Sequence, residues 1–324
     1  MRRFFEASLW QDKNIEAWLI SPLSLLYAFG WWCYTMVYRL GIEKGSASAQ
    51  TNCSDRQLAA GGSGKTPFTV WVVEQLQAMG FQVVVGASGY GSPRSESATL
   101  APDGELDPKV WGDEPALLRL RSPKTPLIVG RDRVRAAEIC AEKFPGSVLV
   151  MDDGFQHLRL KPDISIIIEP RGENDFCFPA GPYREPRALG YPRADRVLRH
   201  FEDLNLLGPT VVDAERGESI EKGKVDLITA IGDPNRLIMM LQGAGYDVAE
   251  SKILTDHDPL DAPNLLAKLG RERYLVVTSK DFVKLRSHPE ASGRKIAVAD
   301  YQLRPKDETE FIDWLVKKCN ESKT

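Results

Sequence analysis

The sequence has no excess of charge, no paired cysteines and no internal repeat, and each absence excludes a class of protein. Its 324 residues include 42 Lys and Arg against 45 Asp and Glu, a net charge of −3, which provides no positive field for gathering nucleic acid. The five cysteines are scattered without a CxxC pair, and their odd number fits neither a zinc site nor a disulfide framework. We expect reduced thiols in a cytosolic compartment.

The longest stretch without charge lies near the N-terminus. From Ala17 to Tyr38 no residue is charged, and such a run approaches the length that crosses a bilayer. A signal peptide does not fit, because the run is too long and no small-x-small cleavage site follows directly. Pro22 and Gly30 weaken a simple spanning helix. We predict membrane attachment, with a segment lying in the interface favoured over one that spans; a buried hairpin in a soluble core is the alternative.

Beyond about residue 60 the sequence alternates short apolar strands with helical stretches. Near-continuous apolar strands that alternate with helices indicate a mostly parallel sheet covered on both faces. The predicted strands are 81–87, 126–130, 147–153 and 164–170, and helices are predicted at 68–80 and 131–144. The fold class is therefore α/β.

A polar stretch separates this first series of strands from a second, shorter one. The second series contains LITAIG at 227–232, a helix at 234–245, and further strands ending near residue 299. We predict an apolar N-terminal segment at 1–44, a first α/β domain at 45–205, a linker at 206–225 and a smaller α/β domain at 226–324.

One short string predicts a phosphate-binding loop. Residues 59–66 read AAGGSGKT, which matches the pattern G-x-x-x-x-G-K-[ST] except that Ala59 replaces its first glycine. The glycines let backbone N–H groups surround an anion, while Lys65 reaches the terminal phosphates and the Thr66 hydroxyl binds Mg²⁺. The preceding residues 49–57 are polar and do not read as the buried strand that normally leads into such a loop. A flexible linker is the alternative interpretation.

A second element belongs with this loop. The string VLVMDDGFQH places Asp152 and Asp153 at the end of an apolar strand, where a carboxylate beside a phosphate loop holds Mg²⁺ directly or through a water. An ordinary turn is the alternative for an Asp-Gly sequence after a strand.

Together these motifs resemble those of the tetraacyldisaccharide 4'-kinases, the lipid A 4'-kinases of the lipopolysaccharide pathway. The strings that carry the resemblance are GGSGKTP (61–67), GDEP (112–115), GRDR (130–133), DDGFQH (152–157), FPAGPYREP (178–186), IGDPNR (231–236) and DH (256–257). They follow the family's order over nearly the whole chain. The resemblance implies a membrane-associated P-loop kinase that uses ATP and Mg²⁺ to phosphorylate the 4'-hydroxyl of a lipid A disaccharide 1-phosphate, at the cytoplasmic face of the inner membrane. It implies contact with membrane lipids, and neither nucleic acid nor an obligate protein partner.

The resemblance also implies roles for individual residues. The nucleotide would be bound by Gly61, Gly62, Ser63, Gly64, Lys65 and Thr66, the Mg²⁺ by Thr66, Asp152 and Asp153, and the substrate by Glu114, Arg131, Arg133, His157, Arg184 and Glu185. Arginine forks suit phosphate groups, although a surface ion pair is the alternative for these arginines. The family's catalytic dyad maps onto Asp113 as base and His257 as its partner, with Lys65 assisting transfer. Asp113 is expected in a loop between strands; taken alone, it reads only as a turn or cap residue.

The chain departs from the family pattern at three places. Polar residues at 46–57 replace an apolar strand, Ser88 stands where the family has arginine, and Ser279 stands where it has glutamate. Two alternatives explain the polar residues at 46–57: genuine drift toward lower activity, or a local sequence error. Two other functions therefore stay open: a P-loop ATPase or GTPase switch, and a membrane-bound lipid-binding module without catalysis.

Overall fold

The computed structural model describes residues 13–40, 46–47, 52–56, 65–152, 158–169, 172–256 and 258–322, with the backbone alone for 46–47 and 52–56. Seven strands of the described residues form the first sheet. In spatial order they are β4 (Thr99–Leu100), β5 (Leu127–Val129), β3 (Val83–Ala87), β6 (Val148–Met151), β2 (Asn52–Arg56), β8 (Ile164–Ile168) and β9 (Arg196–Leu198). The edge strand β4 is antiparallel to β5, and the other neighbours are parallel. A separate parallel pair joins β1 (Ser46–Ala47) to β7 (Leu160–Lys161).

Helices cover both faces of the first sheet. Every residue of β3, β5, β6 and β8 is buried, as expected for parallel strands packed on two sides. Helices α2 (Lys65–Ala78) and α4 (Asp113–Arg121) supply apolar side chains to one face, and α5 (Arg133–Lys143) packs against the other. Short helices α3 (Pro108–Trp111) and α6 (Arg187–Gly190) lie in the connections. The α/β fold predicted from the alternating pattern is confirmed.

The polar residues before the glycine-rich string form a strand, which corrects the prediction from their composition. β2 lies in the interior of the sheet, between β6 and β8, with Cys53 opposite both Val150 and Ile164. The open edges of two neighbouring strands pair with any backbone that offers N–H and C=O groups, so this pairing does not depend on apolar side chains. The chain therefore enters the glycine-rich string from a parallel strand, as a phosphate-binding loop requires.

A second sheet of five strands follows. In spatial order it contains β10 (Leu204–Asp213), β14 (Ile296–Pro305), β13 (Leu275–Thr278), β11 (Lys224–Thr229) and β12 (Asp247–Ile253). β10 is antiparallel to β14, and the other pairs are parallel. Helices α7 (Pro234–Gly243) and α8 (Ser279–Leu285) connect its strands.

Much of the predicted linker at 206–225 belongs to this second sheet. Residues 204–213 pair with β14, with an irregular register between Leu207 and Thr210, where Gly208 and Pro209 lie. Few of its residues are buried because it is an edge strand, and edge strands tolerate proline and polar residues. That explains why the sequence reads as a connection. Residues 206–213 of the predicted linker are therefore part of an edge strand, and the domain bounds stay a prediction.

The C-terminal helix packs on the first sheet's core although it follows the second sheet in the chain. α9 (Glu308–Glu321) buries Phe311, Leu315 and Cys319. The Phe311 ring contacts Phe68 and Trp71 of α2, with centroid separations of 5.8 and 5.7 Å. The two sheets are thus connected by a shared apolar contact as well as by the chain.

The N-terminal apolar segment is one continuous helix, α1 (Ile15–Arg39), which passes through both Pro22 and Gly30. The alternative of a buried hairpin is therefore wrong. Among its exposed large apolar residues are Trp18, Leu19, Leu23, Leu25, Leu26, Phe29 and Trp32. Its buried positions are the small Ala17 and the polar Ser24 and Thr35, the reverse of an ordinary surface helix. Within the described part of the chain, no helix has the length and hydropathy to cross a membrane.

Candidate functional site

The start of α2 and the end of β6 bring two predicted metal-binding residues together. Lys65 and Thr66 are the first two residues of α2, and Asp152 directly follows β6. The Thr66 hydroxyl donates to Asp152 Oδ2 at 3.4 Å, and Asp152 is only 3% exposed. Since parallel strands place their carboxyl ends at one edge, α2 and this aspartate meet where an α/β sheet binds ligands.

Several predicted residues of this edge lie outside the described residues. They are Gly61, Gly62, Ser63 and Gly64 of the glycine-rich string, and Asp153 and His157 after β6. Their roles stay predictions. No group of three or more His, Cys, Asp or Glu side chains that could hold a metal occurs among the residues described. A Mg²⁺ that is coordinated largely by phosphates and water needs fewer protein ligands than that.

Arg133 lies beneath this edge rather than at the surface. It is 2% exposed, and its Nη2 donates to the Asp152 carbonyl oxygen at 2.6 Å. The Asp152 backbone N–H donates in turn to Gly86 O at 2.9 Å. Arg133 therefore fixes the backbone that carries the Asp152 carboxylate, and the surface ion pair considered as its alternative is wrong. Direct substrate contact by Arg133 stays a prediction.

Arg131 is exposed at the same edge of the sheet. It follows β5 and Gly130, and its guanidinium lies over the ring of Tyr90 at 5.1 Å from the centroid. Its backbone N–H donates to Ser95 O at 2.9 Å. An arginine stacked on an aromatic ring is held in place while its donors stay accessible. This placement suits an anionic ligand, and the predicted substrate role stays a prediction.

The predicted residues Arg184 and Glu185 occupy different environments. Glu185 is fully buried, and both of its carboxylate oxygens accept from Arg193 Nη2 at 2.7 Å. Burial lowers the pKa of Arg193, while Glu185 acts in the opposite direction. Glu185 therefore supports the fold of its segment. Arg184 is half-buried, and its carbonyl oxygen accepts from the Tyr27 hydroxyl of α1 at 2.8 Å.

Helix α1 is attached to the segment 176–184 by several contacts. Ser24 Oγ donates to Cys177 O and accepts from Ala180 N at 3.1 Å, and the Trp18 ring meets Phe176 edge-on at 4.9 Å. Burial raises the pKa of the Cys177 thiol to about 11, so this cysteine stays protonated at neutral pH. The exposed apolar face of α1 is thus held beside the segment that contains Arg184.

Asp113 lies at a helix start, which corrects the expectation of a loop. It is the first residue of α4, directly after Gly112 with φ of +94°. A carboxylate in the first turn of a helix is stabilised by the helix dipole, and Glu114 is the next residue on the same turn. Asp113 Oδ2 lies 3.5 Å from Lys284 Nζ of α8, so the first and second sheets' elements meet at this aspartate.

His257, the predicted partner of Asp113, lies outside the described residues. The residues on either side of it both contact α8. Asp256 Oδ1 lies 3.6 Å from Lys280 Nζ, and the Asp258 carbonyl accepts from Lys284 Nζ at 2.8 Å. Asp258 and Asp113 therefore contact the same lysine, Lys284, and the dyad itself stays a prediction. Lys284 was not predicted; its one signal is that it stands between apolar residues Val283 and Leu285.

Comparison with known proteins gives consistent results. The family model described as tetraacyldisaccharide-1-P 4'-kinase matches residues 16–320. A tetraacyldisaccharide 4'-kinase of Actinobacillus succinogenes is 33% identical over 299 residues, covering 86% of this chain and 88% of that protein. One from Pasteurella multocida is 32% identical over 291 residues, covering 85% and 88%. A crystal structure of LpxK from Aquifex aeolicus in complex with ATP has a TM-score of 0.79 at 21% identity, covering 94% of this chain and 99% of that one; this likeness shows a shared fold.

Proposed function

This chain belongs to the tetraacyldisaccharide-1-P 4'-kinase family, and from that premise we propose that it transfers the γ-phosphate of ATP to the 4'-hydroxyl of a tetraacyldisaccharide 1-phosphate in lipid A biosynthesis. The observation that carries the proposal is the contact of Thr66 with Asp152 at the start of α2. It brings together the Gly-Lys-Thr string and the acid after β6, which are far apart in the sequence and would form the two halves of a nucleotide site.

The residues at this edge fit Mg²⁺ bound to a nucleotide. A hydroxyl and a nearly buried carboxylate, 3.4 Å apart, are the hard oxygen donors that Mg²⁺ prefers, and the nucleotide phosphates and water would supply its other ligands. Thr66 and Asp152 would hold the ion, with Asp153 as a further ligand. When bound, the ion neutralises charge on the β- and γ-phosphates.

Lys65 supplies a second positive charge to the transferring phosphoryl group. It occupies the first turn of α2, where the backbone N–H groups at a helix start favour phosphate. Phosphoryl transfer depends mainly on positioning and charge stabilisation. Lys65 thus contributes most when charge shifts toward the leaving ADP.

The 4'-hydroxyl must lose its proton as it attacks. Its oxygen forms a bond to the γ-phosphorus, the bond from that phosphorus to the β–γ bridging oxygen breaks, and ADP leaves with the bond's electron pair. We assign the proton to the carboxylate of Asp113, whose Oδ2 lies 3.5 Å from Lys284 Nζ. His257 is the proposed partner that orients the carboxylate and shares the proton.

The acceptor is an acylated sugar, and the N-terminal helix suits it. The exposed apolar face of α1 would enter the lipid interface, at the cytoplasmic face of the inner membrane. Its contacts to segment 176–184 would bring Arg184 to the sugar 1-phosphate, together with Glu114 and His157. Arg131, beside Tyr90, would hold the ATP phosphates. A catalyst working at the interface does not need to extract its substrate from the bilayer.

One assay separates the proposal from its alternatives. The protein is incubated with γ-labelled ATP, Mg²⁺ and a tetraacyldisaccharide 1-phosphate in mixed micelles, and lipid and inorganic phosphate are separated. Label in the lipid supports the kinase. Phosphate release that does not depend on the acceptor would indicate a nucleotide switch, and lipid binding without either product would indicate a binding module. Both of these results would overturn the proposal.

A further inference from the structure

Lys284, a buried lysine that was not among the predicted site residues, contacts both Asp113 and the segment that follows His257. The Lys284 side chain is 3% exposed, and its Nζ lies 3.5 Å from Asp113 Oδ2 and 3.8 Å from Asp281 Oδ1. Its direct hydrogen bond goes to the Asp258 carbonyl oxygen at 2.8 Å. The ammonium group thus contacts three segments: the start of α4, the residue after His257, and its own helix α8.

Asp281 fixes the lysine's helix to the second sheet. Its buried carboxylate accepts from the Thr229 and Thr278 hydroxyls, each at 2.8 Å, and from the Ala230 N–H at 3.2 Å. Thr229 ends β11 and Thr278 ends β13, so the carboxylate is held at the carboxyl ends of two neighbouring parallel strands. Lys284 lies one turn further along α8, so its backbone is held in place by these hydrogen bonds of Asp281.

Because the Lys284 ammonium group is buried, its charge must be compensated by nearby groups of the protein. A charge removed from water needs opposite charge and hydrogen bonds to compensate for lost hydration. Asp281 already accepts three donors from the second sheet, so Asp113 is the carboxylate from the other unit that completes the compensation. At 3.5 Å this contact between Lys284 Nζ and Asp113 Oδ2 is an ion pair rather than a short hydrogen bond.

The geometry points to Lys284 as a positioning residue for phosphoryl transfer. Lys284 holds the Asp113 carboxylate and the segment beside His257 in fixed positions relative to each other. This inference rests on the proposed function. Lys284 does not itself reach the substrate, since its side chain is buried, whereas the Asp113 side chain is 20% exposed. Other charge pairs between the same regions, Arg286 with Glu105 at 2.8 Å and Lys109 with Asp261 at 2.9 Å, do not involve Asp113.

Kinetics of matched variants test the inference. Lys284→Met is expected to lower kcat about 10- to 100-fold, the size of loss that follows when a catalytic group is misplaced, with KM for ATP within about twofold of wild type. Lys284→Arg, which retains the charge, is expected to recover part of kcat. Arg286→Met removes a neighbouring pair and is expected to retain wild-type kcat. In an Asp113→Asn background, Lys284→Met is expected to add no further loss.

Hydrogen exchange gives a readout that does not depend on turnover. The Asp258 N–H donates to Thr255 O and the Leu260 N–H to the Asp258 carboxylate, so exchange of these amides should speed up in Lys284→Met and not in Arg286→Met. Lys284→Gln, uncharged but still a donor, is the second variant if Lys284→Met does not fold, and the same loss of kcat is expected. Failure of the wild-type enzyme to label lipid would overturn the proposed function alone.

Three results would overturn the positioning role. They are wild-type kcat in both uncharged Lys284 variants, a loss of kcat in Arg286→Met equal to that in Lys284→Met, and losses that multiply with Asp113→Asn. Unchanged exchange at Asp258 and Leu260 in Lys284→Met would overturn it as well, because the lysine would then not hold that segment.

Discussion

The phosphate edge at Thr66 and Asp152 and the junction at Asp113 and Lys284 are built in different ways. At the phosphate edge, Thr66 lies in the first turn of α2, Asp152 follows β6, and buried Arg133 donates to the Asp152 carbonyl oxygen. At the junction, one carboxylate from α4 meets a lysine from α8, beyond the second sheet's strands. The first arrangement exists within one packed unit, whereas the second exists only while two units stay together. Nucleotide binding and chemistry should therefore respond to different substitutions.

The largest expected effect concerns the phosphate edge. Lys65→Ala removes the charge that stabilises the transferring phosphoryl group, and we expect kcat to fall about a hundredfold or more, as for other charge-stabilising groups. The fold should survive because the side chain is at the first turn of α2. Initial rates with labelled ATP and lipid acceptor check this, with Tm as the control for folding. Near-normal rates would mean that this edge is not the ATP site.

Arg133→Met tests whether the phosphate edge depends on its buried support. Loss of a hydrogen bond from a charged group to the Asp152 carbonyl should cost about 1.5–3 kcal/mol of folding stability and raise KM for MgATP more than KM for the lipid. Urea unfolding and steady-state kinetics measure the two effects. Arg294→Met is the matched control: Arg294 also donates to backbone carbonyls, those of Leu266 and Gly270 in the second unit. A loss of stability there with an unchanged KM for MgATP would confirm the contrast, and an equal rise in that KM would contradict it.

Removal of residues 1–40 tests the acceptor side alone. The truncated protein lacks the exposed apolar face of α1, so it should leave the membrane fraction. Relative to the full-length protein, its KM for lipid should rise more than its KM for ATP. Vesicle sedimentation and kinetics in mixed micelles provide the measurements. Truncated protein that still sediments with vesicles would show that another surface holds it.

The smallest effects concern the exposed arginines. Arg131→Ala and Arg184→Ala should each raise the KM of one substrate several-fold, roughly the value of one charge-assisted hydrogen bond. We expect Arg131, at the phosphate edge, to affect ATP, and Arg184, beside α1, to affect the lipid. Steady-state titration of each substrate separates the two. If neither KM changes in either variant, both assignments fail.

The sequence could predict elements that are defined by their own side chains, but not those that depend on neighbouring elements. Apolar strands such as 81–87 and 164–170 were predicted within two residues of β3 and β8, because burial on both faces requires continuous apolar residues. The interior strand β2 was not predicted, since its pairing depends on neighbouring strands rather than on its own side chains. β10 was read as a linker because an edge strand has few buried positions.

The candidate site divides in the same way. Thr66 and Asp152 were predicted because each lies in a contiguous motif whose spacing reflects its chemistry. The supporting role of Arg133 and the position of Lys284 were not predicted, because each depends on a contact with a residue in another element, 19 residues away for Arg133 and Asp152. A buried charge surrounded by apolar residues is a weak signal in one sequence.

Asp113 provides the most direct test of the central claim that the phosphate edge and the junction form one site. ATP affinity by calorimetry and single-turnover transfer of label to the lipid should be measured together for Asp113→Ala, His257→Ala and the double variant. We predict wild-type ATP affinity in all three, a severe loss of transfer in Asp113→Ala, a milder loss in His257→Ala, and no further loss in the double variant, because the two residues act as one unit. Transfer at the wild-type rate by Asp113→Ala would contradict the account and move the base elsewhere, with Asp152 as the next candidate.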